Sequence, residues 1–134
     1  MTVKIGISGF GRIGRCTFRT ALSQPNVESA AINNRSVGPI MADLLKFDTV
    51  HGTWRHDVSY DTEKNMLVVD GKAIPVTNET DPADIPWKDL GVDIVVESTG
   101  KFKDHESASK HLAGGAGKVI ITAPGKNADT TIVM

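Results

Sequence analysis

Gly9-Phe-Gly11-Arg-Ile-Gly14 follows directly on Val3-Lys-Ile5-Gly-Ile7, and no other feature constrains the fold of this chain as tightly. An apolar run this short reads as a buried strand. The segment behind the glycines, Arg15-Cys-Thr-Phe-Arg-Thr-Ala-Leu22, contains no helix breaker and reads as a helix. Each glycine then has a physical task. Gly9 lets the chain turn tightly off the strand, Gly11 lets the backbone approach a pyrophosphate, and Gly14 lets the helix pack close to the sheet. Arg12 and Ile13 lie between the second and third glycines, and the place of Arg12 in the loop favours a phosphate contact for its side chain over a solvated surface charge. Their main-chain N–H groups join the partial positive charge of a helix N-terminus in facing phosphates. A bare G-x-G-x-x-G is a weak signal, but between a strand and a helix it points to a dinucleotide site.

Length and composition fix the class. At 134 residues the chain is read as one domain, residues 1–134. A net charge of −1 gives no basic field for nucleic acid. The single cysteine excludes an internal disulfide and suits a reducing cytoplasm. Met1-Thr-Val enters the first strand at once, so no signal peptide is expected, and no apolar stretch reaches the ~18–20 residues of a membrane span.

Beyond the first helix, Val27 to Ile32 reads as a second strand ending at Asn33-Asn34, and Val37 to Phe47 as a helix. Leu44, Leu45 and Phe47 are expected to supply its core stripe. Val58-Ser-Tyr60 and Met66 to Val69 are β-type runs, and Asp70-Gly71 signals a two-residue hairpin into a return strand, Lys72 to Val76. Asp81 to Trp87 reads as a loop or short helix with Pro82 in its first turn. Val92 to Val96 is a strand apolar enough to be covered on both faces, with Glu97-Ser-Thr-Gly100 at its carboxyl end. A helix over Asp104 to Leu112, a strand over Lys118 to Ile121 and the start of another at Thr130 to Met134 complete the pattern. The expected fold is α/β: a doubly wound, mostly parallel sheet of Rossmann type with a small antiparallel hairpin insertion. A β-branched strand with nothing after it suggests a fragment.

Four separated motifs carry a resemblance. Ile7-Ser-Gly-Phe-Gly-Arg-Ile-Gly-Arg15, Leu44-Leu-Lys-Phe-Asp48 with Val50-His-Gly52, Val96-Glu-Ser-Thr-Gly-Lys-Phe102 and Ile121-Thr-Ala-Pro-Gly-Lys126 resemble, in order, the cofactor-binding half of the phosphorylating glyceraldehyde-3-phosphate dehydrogenases. The resemblance implies a homotetrameric enzyme that oxidises glyceraldehyde 3-phosphate with inorganic phosphate. It also implies a second half, not matched here, that carries the catalytic cysteine in a Ser-Cys-Thr-Thr-Asn motif. This chain is therefore expected to bind dinucleotide without turning over substrate. Erythrose-4-phosphate dehydrogenase shares this part of the pattern, and a free-standing dinucleotide-binding module is the alternative from another class.

Cofactor choice is expected at the end of the second strand. Most NAD-dependent members of that family have Asp where this chain has Asn34, in the run Asn33-Asn34-Arg35-Ser36. A carboxylate there accepts from the ribose hydroxyls and repels a 2′-phosphate. Losing one charge ~4 Å from a phosphate removes roughly 1–4 kcal/mol of repulsion, about one to three decades of affinity. Arg35 then offers a bidentate contact and Ser36 a hydroxyl, so NADP is the favoured cofactor. The alternative is NAD, with Asn34 on a ribose hydroxyl and Arg35 in solvent. On the adenine side, Thr80 replaces an arginine common in the family. Ser98, Thr99, Gly100 and Thr122 follow two parallel strands, where the ribose-nicotinamide half is expected. Glu28 lies at the wrong end of its strand and is read as a surface residue. Cys16 is expected to be buried and inert, the four histidines structural or superficial, and no metal-ligand spacing is present.

Overall fold

The computed structural model describes residues 2–36, 38–48 and 51–132. Strand β1 (Val3–Ser8) enters the glycine turn, helix α1 (Arg12–Leu22) returns along the sheet, and β2 (Val27–Asn33) lies parallel to β1. Then come α2 (Pro39–Lys46), the short strands β3 (Phe47–Asp48) and β4 (Gly52–Thr53), and three longer strands, β5 (Val58–Asp61), β6 (Met66–Val69) and β7 (Lys72–Thr77). A 3-10 turn at Pro82–Asp84 leads to β8 (Ile94–Glu97), the helical turns α3 (His105–Ala108) and α4 (Lys110–Ala113), and β9 (Lys118–Ile121).

Seven strands form one sheet in the order β5-β6-β7-β2-β1-β8-β9, with β3 and β4 paired separately. From β1 the chain winds outward through β2 and β7; β8 and β9 lie on the other side. All four of these neighbouring pairs are parallel. The winding reverses beside β1, so a crevice opens at the carboxyl ends of β1, β2 and β8. On α1, Gly14, Phe18 and Ala21 are buried at helical spacing. Phe18 and Ala21 meet Ile5, Ile7, Ile32, Met41 and Leu45 in the core on one face of the sheet. Ala31, one residue before Ile32, points the other way into a second core around Ile85, Trp87, Val92 and Val95. Covering both faces explains why β1 and β8 read as continuous apolar runs.

The Asp70-Gly71 turn has φ of 50° and 84°, the left-handed pair that a two-residue hairpin requires. The hairpin is part of the main sheet, because β7 pairs in parallel with β2 through Ile32–Val76 and Asn33–Thr77. Several expectations are corrected. Of the α2 stripe only Leu45 is buried; Leu44 is 43% and Phe47 60% exposed, because the helix stops at Lys46 and Phe47 turns into β3. The helix expected over Asp104 to Leu112 is two turns broken at Ser109, whose hydroxyl donates to the His105 carbonyl and helps hold the break. Strand β8 starts at Ile94, since the Val92 N–H turns back to the Trp87 carbonyl instead. Thr130–Ile132 form no strand: they are exposed and, among the described residues, pair with no strand. The remainder of that expected strand, and Val37, lie outside the described residues. Cys16 is half-buried in a shallow groove with Ile13, Thr17 and Thr20. The β3–β4 pair had no sequence signal.

Asp104 caps α3. Its carboxylate accepts from the Ser107 hydroxyl and, at 2.7 Å, from the Ser107 N–H. The hydroxyl contact first and the N–H second hold the Asp104 carboxyl below its ordinary value. A depressed carboxyl stabilises the folded form above its unfolded pKa of about 3.9, and that contribution is lost as pH falls through the lower folded value. Hydrogen exchange of the Ser107 amide should therefore accelerate, relative to other amides, only on acidification below about pH 4. The Asp104→Asn variant should lack that acid step.

Candidate functional site

The crevice is a cleft of about 400 Å³ walled by the carboxyl ends of β1, β2 and β8 and by the loop before the 3-10 turn. Its floor is the glycine turn. Gly9 has φ of 93°, and a Cβ there would lie 2.7 Å from the Thr99 nitrogen. A Cβ on Gly14 would lie 2.1 Å from the Gly9 carbonyl oxygen and 3.1 Å from Ser98 Oγ, so α1 sits directly against the turn that precedes it. Gly11 is the opposite case: a Cβ there would meet nothing within 4 Å. No side chain caps α1, and no acidic residue occupies its first turn. Its leading amides, including those of Arg12 and Ile13, have no intrahelical acceptors. Gly11 lines the cleft beside them, an open cradle of main-chain donors suited to a diphosphate.

The β2 end is fixed by amide side chains. Asn33 is buried; its Nδ2 donates to the Glu79 carbonyl at 3.0 Å, and its Oδ1 accepts from Thr77 Oγ1 at 2.7 Å and Glu79 N–H at 2.9 Å. Asn34 Oδ1 accepts from the Phe10 N–H at 3.0 Å and Nδ2 donates to the Ser36 carbonyl at 2.8 Å. Asn34 thus ties the glycine turn to the lip of the cleft, where Arg35 and Ser36 are exposed.

Nine of the residues expected from sequence converge on this cleft: Gly9, Gly11, Asn33, Asn34, Arg35, Ser36, Thr80, Ser98 and Thr99. Ser98 Oγ donates to the Gly9 carbonyl at 2.7 Å. Five others do not line it. Gly14 and Ile13 sit behind the turn on α1. The Arg12 guanidinium is half-exposed and 3.5 Å from Asp48, which lies 3.6 Å from Arg19 as well. Gly100 is exposed, with φ 78°, and Thr122 donates its N–H and hydroxyl to the Glu97 carbonyl at 3.1 and 3.2 Å. Glu28 pairs with Lys72 at 2.6 Å, away from the cleft; His51 and His105 are exposed and His56 is half-buried. Sequence reasoning missed Glu79, Lys101 and Phe102 on the cleft wall; the last two fall inside a motif already noted, Val96 to Phe102. It also missed Glu97 and His111, buried behind Thr99 with no periodicity to announce them.

Among the described residues no helix is long and apolar enough to cross a membrane. Residues 3–105 match the family model described as the NAD binding domain of glyceraldehyde 3-phosphate dehydrogenase. Among curated relatives, the chain is 54% identical over 134 residues to the glyceraldehyde-3-phosphate dehydrogenase of Geobacillus stearothermophilus, covering 100% of this chain and 39% of the relative. It is 51% identical over 135 residues to that of Streptomyces coelicolor, covering 100% and 40%. With the enzyme of Thermotoga maritima identity is 49% over 133 residues, covering 98% and 39%. The chain thus spans about two fifths of the length of these relatives.

Proposed function

The chain belongs to the glyceraldehyde 3-phosphate dehydrogenase family, as its NAD-binding part, and on that premise we propose that it serves a phosphorylating aldehyde dehydrogenase by holding NADP in preference to NAD. The dinucleotide, when bound, accepts the hydride. The chain's own residues position it: the α1 amides and Gly11 take the diphosphate, while Arg35 and Ser36 take the adenosine 2′-phosphate. Thr80 borders the adenine side, and Ser98 and Thr99 the nicotinamide side. Arg12, Ile13 and Gly14 act through their backbone, and Gly100 and Thr122 support the loops behind the cleft. The whole enzyme is read as a homotetramer acting on glyceraldehyde 3-phosphate. The single cysteine supports a cytoplasmic setting.

One observation carries the cofactor preference: at the β2 lip the neutral Asn34 stands beside Arg35 and Ser36, both on the cleft. A 2′-phosphate there meets a guanidinium and a hydroxyl, while the nearest carboxylate on the wall belongs to Glu79 on the adjoining loop. Calorimetric titration of both cofactors tests the reading, with NADP expected to bind about tenfold or more tightly than NAD. Tighter binding of NAD rejects the preference. The purified chain should show no dehydrogenase activity, because its one cysteine, Cys16, lies on α1 outside the cleft.

A further inference from the structure

Behind Thr99 runs a buried hydrogen-bonded chain that no step so far has used. Trp87 and His111 are each 0% exposed and Glu97 is 2% exposed. The Trp87 indole N–H donates to His111 Nδ1 at 3.0 Å. An indole nitrogen only donates, so Nδ1 is bare and the imidazole proton sits on Nε2. From there it is given to Glu97 Oε1 at 2.8 Å. The other carboxylate oxygen, Oε2, accepts from the Thr99 N–H at 2.9 Å and the Thr99 hydroxyl at 2.6 Å. Both Glu97 oxygens are therefore acceptors, and the proton order of the chain is fixed in one direction.

Thr99 is the point where this chain meets the cleft. It lines the cavity, and its backbone lies so close to Gly9 that a methyl group on Gly9 would stand 2.7 Å from its nitrogen. We propose that Glu97 and His111 are positioning residues for the dinucleotide: the Trp87–His111–Glu97 chain locks the Thr99 loop in the conformation that seats the glycine turn. The inference rests on the reading that the diphosphate lies over Gly9 to Gly14. It differs from a packing role because it depends on which atoms carry protons.

The test is Glu97→Gln, nearly isosteric. A carboxamide has one acceptor and one donor group, so either Thr99 or His111 Nε2–H faces an N–H. The imidazole cannot shift its proton to relieve this, because Nδ1 is held by the indole. NADP and NAD affinity should both fall about tenfold, the equivalent of about 1.4 kcal/mol. Adding Trp87→Phe frees Nδ1 to take the proton, leaving Nε2 to accept from the new amide. Affinity should then recover towards that of the unaltered chain while Tm falls further, an opposite movement that lost packing alone does not produce.

A measurement on the unaltered chain guards against variants that do not fold. Of the two indole N–H resonances, that of Trp87 should shift on saturation with NADP, and that of Trp54, whose ring is tilted against His56, should not. Unchanged affinity in Glu97→Gln, or no shift at Trp87, overturns the positioning role and leaves the cofactor site standing. Saturation that leaves the Gly9 to Gly14 amides unmoved overturns the cofactor placement and the positioning role together.

Discussion

Gly14→Ala should cost the domain about 3 kcal/mol and abolish dinucleotide binding at the same time. Alanine is a better helix former than glycine by about 1 kcal/mol, so on propensity alone the change in α1 would stabilise. Sterics decide otherwise. The added methyl would stand 2.1 Å from the Gly9 carbonyl oxygen, an atom of the tight turn itself, with Ser98 Oγ a further 3.1 Å neighbour. A flexible side chain would swing aside from such a contact; this carbonyl cannot, because Ser98 Oγ bonds it at 2.7 Å and the Gly9 N–H is tied to the Asn33 carbonyl at 2.8 Å. Helix and turn must separate by more than an ångström, which is overpacking at the costly end of its usual range of about 1–3 kcal/mol. Urea denaturation reads the stability loss and calorimetry the binding loss.

Gly11→Ala is the control that separates the two effects. Gly11 has φ −77° and ψ −157°, extended backbone open to alanine, and free space on its Cβ side. Stability should change by less than about 0.5 kcal/mol, as for an unobstructed surface position. Yet that free space is where a diphosphate must come close, so affinity should still drop more than about tenfold. Retained affinity in Gly11→Ala would place the diphosphate somewhere else.

The parts legible in the sequence are those set by local rules. Strand, glycine turn and helix follow from the spacing of Gly9, Gly11 and Gly14 with the runs on either side. Asp70-Gly71 announced its hairpin through the need for two positive φ values. What the sequence hid depends on contacts between distant segments. Phe47 looks like the last apolar position of α2, and nothing local says that the helix ends one residue earlier and leaves its ring exposed. Asn34 reads as a ligand contact; only the fold shows both of its polar atoms tied to main-chain groups of Phe10 and Ser36. Glu97 and His111 are fourteen residues apart and separated by a strand end, a loop and a break in helical structure, so no periodicity joins them.

Asn34→Asp should reverse the cofactor preference. Two effects add. The new carboxylate stands beside the position of a 2′-phosphate, and a like charge at ~4 Å with partial solvent screening repels by roughly 1–4 kcal/mol. The second is geometric. Asn34 Nδ2 now donates to the Ser36 carbonyl at 2.8 Å; in aspartate that atom is an oxygen facing an oxygen, so the Ser36 peptide must turn away. Ser36, one of the two groups proposed to grip the phosphate, carries that carbonyl, and Arg35 directly precedes it. The Phe10 N–H keeps its acceptor, now charged, so the glycine turn stays seated and the diphosphate site is unaffected. NADP affinity should therefore fall by about one to three decades, while NAD, which gains a ribose acceptor, holds its affinity or improves. Raising the salt concentration should shrink the NADP penalty, because the lip is open to solvent and the repulsion there is screened. A variant that still binds NADP as the unaltered chain does would remove Asn34 and its neighbours from the adenosine site and leave the cofactor preference without a physical basis.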